Sequence, residues 1–358
     1  MWKSLKDRAE GVKEMKRMKT TEAVGQVLCH DITQIIPGVT KDAVFRKGHI
    51  IREEDIPVLL SVGKDSVYIW ENDETMMHEN DAAEVLYRMT ANEHMHPSDV
   101  KEGKIEAIAD TEGLLKVDRE KLKKVNAFGE MMIATRHGNT VVKKGDKLAG
   151  TRIIPLVIKK DKMQEAEKIC DGTPILKILP FTVKKAAIIT TGNEVYHGRI
   201  KDAFTPVIEQ KIAEFGAEMM FHEIFDDNDR KITDGCLRAI EAGADIVFCT
   251  GGMSVDPDDK TPLAIKNTGA EMISYGSPVL PGAMFLLSYY RKGEKVIPVC
   301  GLPGCAMYNR RTIFDLVLPR LMAADPVTAD ELASLGEGGL CLNCKVCTFP
   351  NCGFGKGW

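Results

Sequence analysis

The sequence predicts an α/β protein whose second half is a three-layer αβα sandwich built on a mostly parallel β-sheet. From Lys184 onward, short apolar runs alternate with helical patterns, which is typical of strand–helix–strand units in a parallel sheet. Before Lys184, short apolar bursts are separated by Gly and Pro turn signals, which indicates a β-rich α+β domain. After Asp325 the periodicity ends and Gly and Cys become frequent, which indicates a Cys-rich tail.

The length of 358 residues favours two domains with additional tails. We divide the chain where the pattern changes. Residues 1–20 are predicted to form an N-terminal helix or tail, 21–183 a β-rich α+β accessory domain, 184–325 the α/β domain, and 326–358 a Cys-rich, metal-binding tail.

The elements of the α/β domain are predicted in order. Strands are expected at 186–191, 219–225, 245–250, 271–275 and 296–300. Helices are expected after the first and second strands, where apolar residues recur at helical spacing, and a final helix over 305–322. In the accessory domain, the pattern predicts a helix over 81–92 and strands at 114–117, 131–135, 140–142 and 152–158.

Charge and hydropathy exclude several classes of partner. The formal net charge is −4, from 48 basic and 52 acidic residues, so the chain has no overall positive field for a nucleic acid. No run of about eighteen apolar residues is present, and the N-terminus has no apolar core typical of a signal peptide, so we expect a cytoplasmic protein. The ten cysteines are therefore expected to be thiols or metal ligands rather than disulfides.

Polar and glycine-rich loops follow the predicted strands of the α/β domain. Ligands of open α/β sheets bind beyond the carboxyl ends of the strands, so these loops are the candidate site. Paired glycines let backbone amides approach an anion, and carboxylates beside them suit a hydrated Mg²⁺. The candidate residues are Thr191, Gly192, Asn193 and Glu194 after the first strand, Gly251, Gly252, Ser254, Asp259 and Thr261 after the third, and Pro303, Gly304 and Cys305 after the last.

These loops are also expected to begin two helices and to include one further turn. Asp259 and Thr261 fall where a helix is expected to begin, so either could cap it. The loop at Cys305 is expected to open the 305–322 helix, whose dipole would favour an anion. Pro281 and Gly282 are expected to form another turn on the same rim.

Together, the loops resemble the molybdopterin-binding domain shared by molybdopterin adenylyltransferases, molybdopterin molybdenumtransferases and the competence-damage-inducible family. The resemblance covers about 184–325. It implies binding of molybdopterin or its adenylylated form as substrate, with Mg²⁺ at Asp259 and molybdate as the incoming oxyanion. It also implies catalytic roles for Asp259 and Glu194, with phosphate and dithiolene held by the backbones of the glycine loops.

The activity implied by this resemblance is that of a molybdopterin molybdenumtransferase-like enzyme, which releases AMP as molybdate enters. Two alternatives remain open: a non-catalytic carrier or chaperone of the cofactor, and a nucleotide hydrolase like the competence-damage family. A molybdoenzyme or another cofactor-assembly protein is an expected partner, and self-association is common among such relatives. The chain departs from the family pattern at Asp202-Ala203-Phe204-Thr205, where a Ser-Asn pair is usual, and at Leu280 and Cys305.

Four cysteines lie within the last eighteen residues in the pattern Cys-x2-Cys-x2-Cys-x4-Cys. Four thiolates in one short segment can surround a single metal centre, and ligation by sulfur alone suits an iron–sulfur cluster or Zn²⁺. A flexible thiol tail that carries sulfur or metal is the alternative. The cysteines concerned are Cys341, Cys344, Cys347 and Cys352.

Overall fold

The structure, a computed structural model, describes residues 16–36, 40–69 and 74–357. Most of the N-terminal helix or tail predicted over residues 1–20 therefore lies outside the described residues. Where that segment is described, Arg17–Lys19 form a strand antiparallel to Ser66–Tyr68 rather than a helix.

A small unit comes first along the chain. It packs around fully buried Leu28, Ile32 and Leu59. Two antiparallel strand pairs, β1 with β4 and β2 with β3, surround a short helix. The elements are β1 (Arg17–Lys19), β2 (Ile32–Ile36), β3 (Thr40–Phe45), α1 (Ile56–Ser61) and β4 (Ser66–Tyr68), with 3-10 turns at Thr20–Glu22 and Glu53–Asp55.

A larger β-rich unit follows and has its own core. Its sheets have the strand orders β6-β7-β11-β9, β10-β8-β13 and β12-β5. Helix α2 buries Ala82, Val85, Leu86 and Met89 against these strands, as its helical spacing predicts. The elements are β5 (Met76–His78), α2 (Glu79–Thr90), β6 (Met95–Pro97), β7 (Lys104–Ala109), β8 (Gly113–Val117), α3 (Arg119–Ala127), β9 (Met131–Thr135), β10 (Thr140–Val142), β11 (Lys147–Ile153), β12 (Val157–Lys159), α4 (Lys160–Cys170) and β13 (Leu176–Leu179).

The single strand predicted over 152–158 is wrong. Lys147–Ile153 and Val157–Lys159 belong to different sheets, and Pro155 lies in the interruption between them. Proline has no N–H to donate to a strand ladder, which explains the break. Strand β7 and helices α3 and α4 were not predicted.

The α/β domain is built on a six-stranded sheet of order β15-β14-β16-β19-β18-β17. The first four strands of that order are parallel, and β18 is antiparallel to both of its neighbours. The domain and the segment after it contain β14 (Lys185–Thr191), α5 (Asn193–Tyr196), α6 (Phe204–Ala213), β15 (Glu218–Phe225), α7 (Asp229–Glu241), β16 (Ile246–Thr250), α8 (Thr261–Asn267), β17 (Glu271–Tyr275), β18 (Leu286–Lys292), β19 (Lys295–Leu302), α9 (Ile313–Met322) and α10 (Ala329–Ser334).

Both faces of this sheet are covered by helices. Successive residues of β14 point to opposite faces, so Ile188 packs with the Ile208 of α6 and the Phe314 of α9, whereas Ile189 packs with the Ile232 of α7. Because the strand is buried on both sides, it appears in the sequence as one apolar run. The predicted αβα layering is present, with the unpredicted strand β18 added to the sheet.

The segment after α9 packs onto the α/β domain. Phe354 is 5% exposed and belongs to the core shared by α6 and α9. Cys29, Cys170, Cys236 and Cys249 are free thiols buried in the cores. Within the described ranges, no helix combines the length and apolar character needed to cross a bilayer.

Candidate functional site

The four predicted loops leave the sheet at one edge, which we call the crevice edge. Strands β15, β14, β16 and β19 are parallel, so their carboxyl ends point the same way. Thr190 is level with Thr250, and Thr250 is level with Leu302. Strand β18 runs the other way and starts beside Gly301, so the Pro281-Gly282 turn before it reaches the same edge. The topology therefore brings the candidate loops together.

Glycines at Gly251 and Gly252 allow the first and third loops to touch. Gly251 has φ of +82°, and a Cβ atom there would lie 2.1 Å from the Thr191 carbonyl oxygen. Gly252 has φ of +54°, and its Cβ would lie 2.8 Å from Thr261 Oγ1. The Thr191 hydroxyl donates to the Thr250 carbonyl at 3.1 Å and lies 3.0 Å from Thr261 Oγ1. Buried threonines thus lock this turn against the neighbouring strand.

An acidic group borders the turn on the β15 side. The Asn193 amide donates to Asp227 Oδ2 at 3.0 Å. Burial raises the pKa of Asp227, and the hydrogen bond from Asn193 partly opposes this shift. The nearby negative charges of Glu194, Asp259 and Asp258 raise the pKa of Asp227 further. These four carboxylates therefore share one electrostatic environment, and any cation entering it would be favoured.

Asp227 is not among the predicted site residues; it lies in the run Asp226-Asp227-Asn228-Asp229, which also supplies the cap of α7. Asn228 caps α7, since its side chain accepts from Arg230 N and Lys231 N. The carboxyl-end position after β15 is the signal that could have identified Asp227.

The predicted capping of α8 by Asp259 or Thr261 is wrong. The helix starts at Thr261, its N-cap residue is Lys260, and no side chain caps it. The Asp259 amide instead donates to the Asp256 carbonyl at 3.0 Å within the loop. The Asp259 carboxylate is therefore not used for capping.

Tyr275, at the carboxyl end of β17, holds the exposed part of this loop. Its hydroxyl donates to the Met253 carbonyl at 2.9 Å, and the Ser254 carbonyl lies 3.3 Å from it. Burial raises the pKa of Tyr275, and the Asp259 charge adds to that shift. Ser254 itself is exposed.

The helix predicted over 305–322 is split, which corrects the dipole argument for Cys305. Gly304–Met307 form a single 3-10 turn, and α9 begins only at Ile313. The Thr312 side chain accepts from Phe314 N, and the Asp315 carboxylate accepts from Thr312 N at 2.8 Å, which forms a capping box at the new start. Pro303, Gly304 and Cys305 thus line the crevice edge without the N-terminus of a long helix.

The Pro281-Gly282 turn is fixed by contacts with that helix start. The Leu280–Pro281 peptide is cis, and the Pro281 carbonyl accepts from Ile313 N at 3.1 Å. Gly282 has φ of +132°, and a Cβ there would lie 2.3 Å from Ile313 Cγ2. Glycine is required here because the α9 start packs directly onto the turn.

Asp202, where the sequence departs from the family pattern, organises a polar cluster below the first loop. Its carboxylate accepts from Phe204 N at 2.8 Å, Thr205 N at 3.1 Å and the Thr190 hydroxyl at 2.9 Å, with His222 Nε2 3.4 Å away. Burial alone would raise the pKa of Asp202, but the bonds from Thr205, Thr190 and Phe204 together lower it. Asp202 therefore starts α6 and ties it to the sheet.

The four tail cysteines lie in a segment that we call the cysteine loop (residues 341–352). Cys341 and Cys352 are half-buried, and Cys344 and Cys347 are exposed. All four line one cavity of about 240 Å³. Across the described ranges, no set of three or more His, Cys, Asp or Glu side chains is already grouped so that it could hold a metal ion. Metal binding by these cysteines stays a prediction.

A larger cavity, of about 820 Å³, lies away from the crevice edge. It is enclosed by the β-rich unit, helix α9 and the end of the tail, and its walls include Arg119, His137 and Lys356. Burial lowers the pKa of His137, and the charges of Lys356 and Arg119 lower it further. None of the loop residues predicted to bind ligand lines this cavity.

Comparison with known proteins gives two family matches. Residues 187–323 match the family described as a probable molybdopterin binding domain, and residues 17–71 match a domain of unknown function. A competence-damage inducible protein of Bacillus cereus is 30% identical over 129 residues, which are 36% of this chain and 30% of that protein. The chain spans less than a third of the length of the curated relatives it matches.

Two solved structures are similar to part of the chain. The tungsten cofactor synthesizing protein MoaB from Pyrococcus furiosus is 19% identical, with 40% of this chain and 98% of that chain covered and a TM-score of 0.34. The molybdopterin biosynthesis enzyme MoaB from Thermus thermophilus is also 19% identical, with 40% and 98% covered and a TM-score of 0.31. Residues 187–323 of this chain belong to the molybdopterin-binding domain family.

Proposed function

We propose that this chain acts in molybdenum cofactor biosynthesis and that its crevice edge binds molybdopterin or the adenylylated form. In the specific reaction, molybdate enters adenylylated molybdopterin and AMP is released. The family match over residues 187–323 supports the ligand class. The observation that carries the proposal is the meeting of the Gly251 turn, the Pro303 loop and the Asp227 carboxylate group at one edge of the sheet.

The acidic side of the crevice edge fits Mg²⁺. Carboxylate oxygens are the hard ligands that this ion prefers. Asp226 Oδ1 is buried without a hydrogen-bond partner, and the charges crowded at Asp227 are a cost that a cation would remove. Asp259, Asp227 and Glu194 would hold the ion. When bound, Mg²⁺ would neutralise phosphate charge as the phosphoanhydride breaks.

The chain's own groups would position the substrate. The left-handed turn at Gly251 and Gly252 would present backbone amides to a phosphate. The loop of Pro303 and Gly304, after the neighbouring strand β19, would contact the substrate from beside it. Thr191, Asn193 and Thr261 hold these loops in place through the bonds described above. Ser254 and Cys305 would extend the rim. Because molybdate supplies the entering oxyanion, no protein nucleophile is needed, and catalysis is positioning and charge neutralisation.

Turnover tests this proposal. Purified protein with Mg²⁺, molybdate and adenylylated molybdopterin should release AMP, and Asp259→Ala should lower the rate by about 100-fold or more, as for loss of a charge-stabilising group. Asp256→Ala is the matched control, because Asp256 lies in the same loop and its side chain is exposed. Equal rates in the two variants would contradict the role of Asp259.

A second function is favoured by the curated relatives, which are competence-damage inducible proteins. In this alternative, the same crevice hydrolyses a nucleotide without molybdate. AMP release from nucleotide substrates in the absence of pterin and molybdate would support it. Tight pterin binding without any turnover would instead support a carrier that passes cofactor to a molybdoenzyme or another assembly protein. Sedimentation of the free protein would test the expected homo-oligomer.

A further inference from the structure

We propose that the four thiolates of the cysteine loop ligate a 4Fe–4S cluster next to the crevice edge. The inference goes beyond the proposed function and does not rest on it. It starts from one observation: Cys341, Cys344, Cys347 and Cys352 line a single cavity of about 240 Å³.

The ends of the cysteine loop are fixed to the α/β domain. Leu280 pairs with Leu340: Leu280 N donates to the Gly339 carbonyl and Cys341 N donates to the Leu280 carbonyl, each at 2.8 Å. At the other end, Phe354 is buried in the domain core. Both ends of the loop are thus held, while residues 342–348 form neither helix nor strand. In the structure as described, the cysteines are not grouped so that three or more could hold a metal ion, so ligation would require residues 342–348 to rearrange between the two anchors.

The anchor also determines where the cluster would lie. Leu280 directly precedes the Pro281-Gly282 turn, which belongs to the crevice edge. Cys341 is therefore one backbone hydrogen bond away from the rim of the candidate pterin site. The carboxylate group around Asp227 follows β15, at the other end of the sheet, so the cysteines and the carboxylates lie on different sides of the crevice edge.

The charge around the cavity suits an anionic centre. A 4Fe–4S core with two positive charges, ligated by four thiolates, carries two net negative charges. The residues lining the cavity include Arg310 and Arg311 and no carboxylate. Arg310 donates to the Lys345 carbonyl at 3.1 Å, and the Arg311 guanidinium lies 4.8 Å from the centre of the Phe349 ring. Arg311 also donates to Asp315 Oδ1 at 2.8 Å, which already pairs its charge, so the positive charge available to an anionic centre comes mainly from Arg310.

Spacing and volume favour iron–sulfur over zinc. Three cysteines at successive x2 spacings match the start of the ferredoxin run, although four residues rather than three precede the fourth Cys. Structural zinc sites usually combine two separated Cys pairs. The cavity of about 240 Å³, measured as space open to a water-sized sphere, is many times the roughly 10–15 Å³ that one such sphere needs. A single zinc ion with Zn–S bonds of about 2.3 Å would leave much of this space empty.

Metal analysis of the full chain, purified without oxygen and reconstituted with ferrous iron and sulfide, tests the inference. We expect about four irons and four acid-labile sulfides per chain, with visible absorption that bleaches on reduction. The double variant Cys344→Ser/Cys347→Ser should lose nearly all of the iron, and its exposed positions make misfolding a small concern. Cys305→Ser, a cysteine outside the loop, should keep the parent's iron content.

Circular dichroism of each variant would check that it is folded. A loss of iron in a folded variant can then be assigned to the loss of its cysteine ligands. Asp259→Ala should keep its iron even where it loses AMP release, which separates this inference from the proposed function. Stoichiometric zinc without sulfide would overturn the assignment. So would iron retained by the double variant, or an iron-free parent after reconstitution.

Discussion

Substituting Gly251 by alanine tests whether contact between two loops shapes the crevice edge. The new Cβ would meet the Thr191 carbonyl oxygen at 2.1 Å, and that oxygen belongs to the backbone of a central strand. The left-handed φ of +82° costs about 1–2 kcal/mol for a residue with a Cβ. Relief of the overlap costs about 1–3 kcal/mol more, by analogy with an overpacked core. The expected loss is about 3.5 kcal/mol.

Gly243→Ala is the matched control for this substitution. Gly243 lies in the same domain with φ of +102°, and a Cβ there would have nothing within 4 Å. It therefore carries the conformational cost of about 1.5 kcal/mol without the overlap. The difference between the two variants isolates the contact between Gly251 and Thr191.

Thermal unfolding followed by circular dichroism measures both variants. At about 3 °C per kcal/mol for a domain of this size, Gly251→Ala should melt about 10 °C below the parent and Gly243→Ala about 4 °C below. If the two variants melt at the same temperature, the overlap has no energetic consequence. The loops would then not be locked together in the way that the geometry requires.

Two carboxylates give further predictions of opposite sign, each checked by urea unfolding across pH with a chelator present. The folded-state pKa of Asp227 is raised, so the charged form of this side chain lowers the stability of the fold above that pKa. Asp227→Asn should therefore be more stable than the parent at pH 7. The gain should vanish below about pH 3.9, the ordinary pKa of an unfolded Asp, where the carboxyl group is protonated in both states. Asp202 has a lowered folded-state pKa, so its contribution is present at neutral pH and is lost as pH falls through that lowered value. Asp202→Ala should cost about 1–3 kcal/mol at pH 7, since two backbone amides and the Thr190 hydroxyl lose their acceptor. An Asp227→Asn variant less stable than the parent at pH 7, or an Asp202→Ala variant as stable as the parent, would contradict the assigned environments.

The parallel strands were predictable from the sequence because burial on both faces leaves an uninterrupted apolar run. The run predicted at 186–191 is observed as Lys185–Thr191. Strand β18 was not predicted, since Ser288 and two tyrosines give it a mixed pattern. In the fold, the Ser288 hydroxyl donates to the Val299 carbonyl at 2.8 Å, so its polar group is satisfied by the neighbouring strand. That partner is a tertiary contact, which sequence pattern does not reveal.

The sequence carries a signal for the start of helix α9 at Thr312, although the prediction placed that start at Cys305. Thr312 and Asp315 have the spacing of a capping box, and they interrupt an otherwise apolar stretch. The convergence of the loops was predictable from the rule that ligands bind at the carboxyl ends of parallel strands. The same rule points to Asp227 after β15, but its place beside Asn193 depends on β15 pairing with β14, and chain order alone does not specify that neighbour.

Under both proposals, the two sides of the crevice edge would bind different classes of metal, because their ligands differ in chemistry. Beyond β15 and β14, the donors are carboxylate oxygens, which select hard cations such as Mg²⁺. Beside the Pro281 turn, the donors are thiolates, which select iron–sulfur clusters or other soft metals. The Gly251 turn and the Pro303 loop lie between them in the sheet order. Because hard and soft ligands are kept on separate sides, loading one site should leave the other site's affinity unchanged, provided that the pterin does not bridge them.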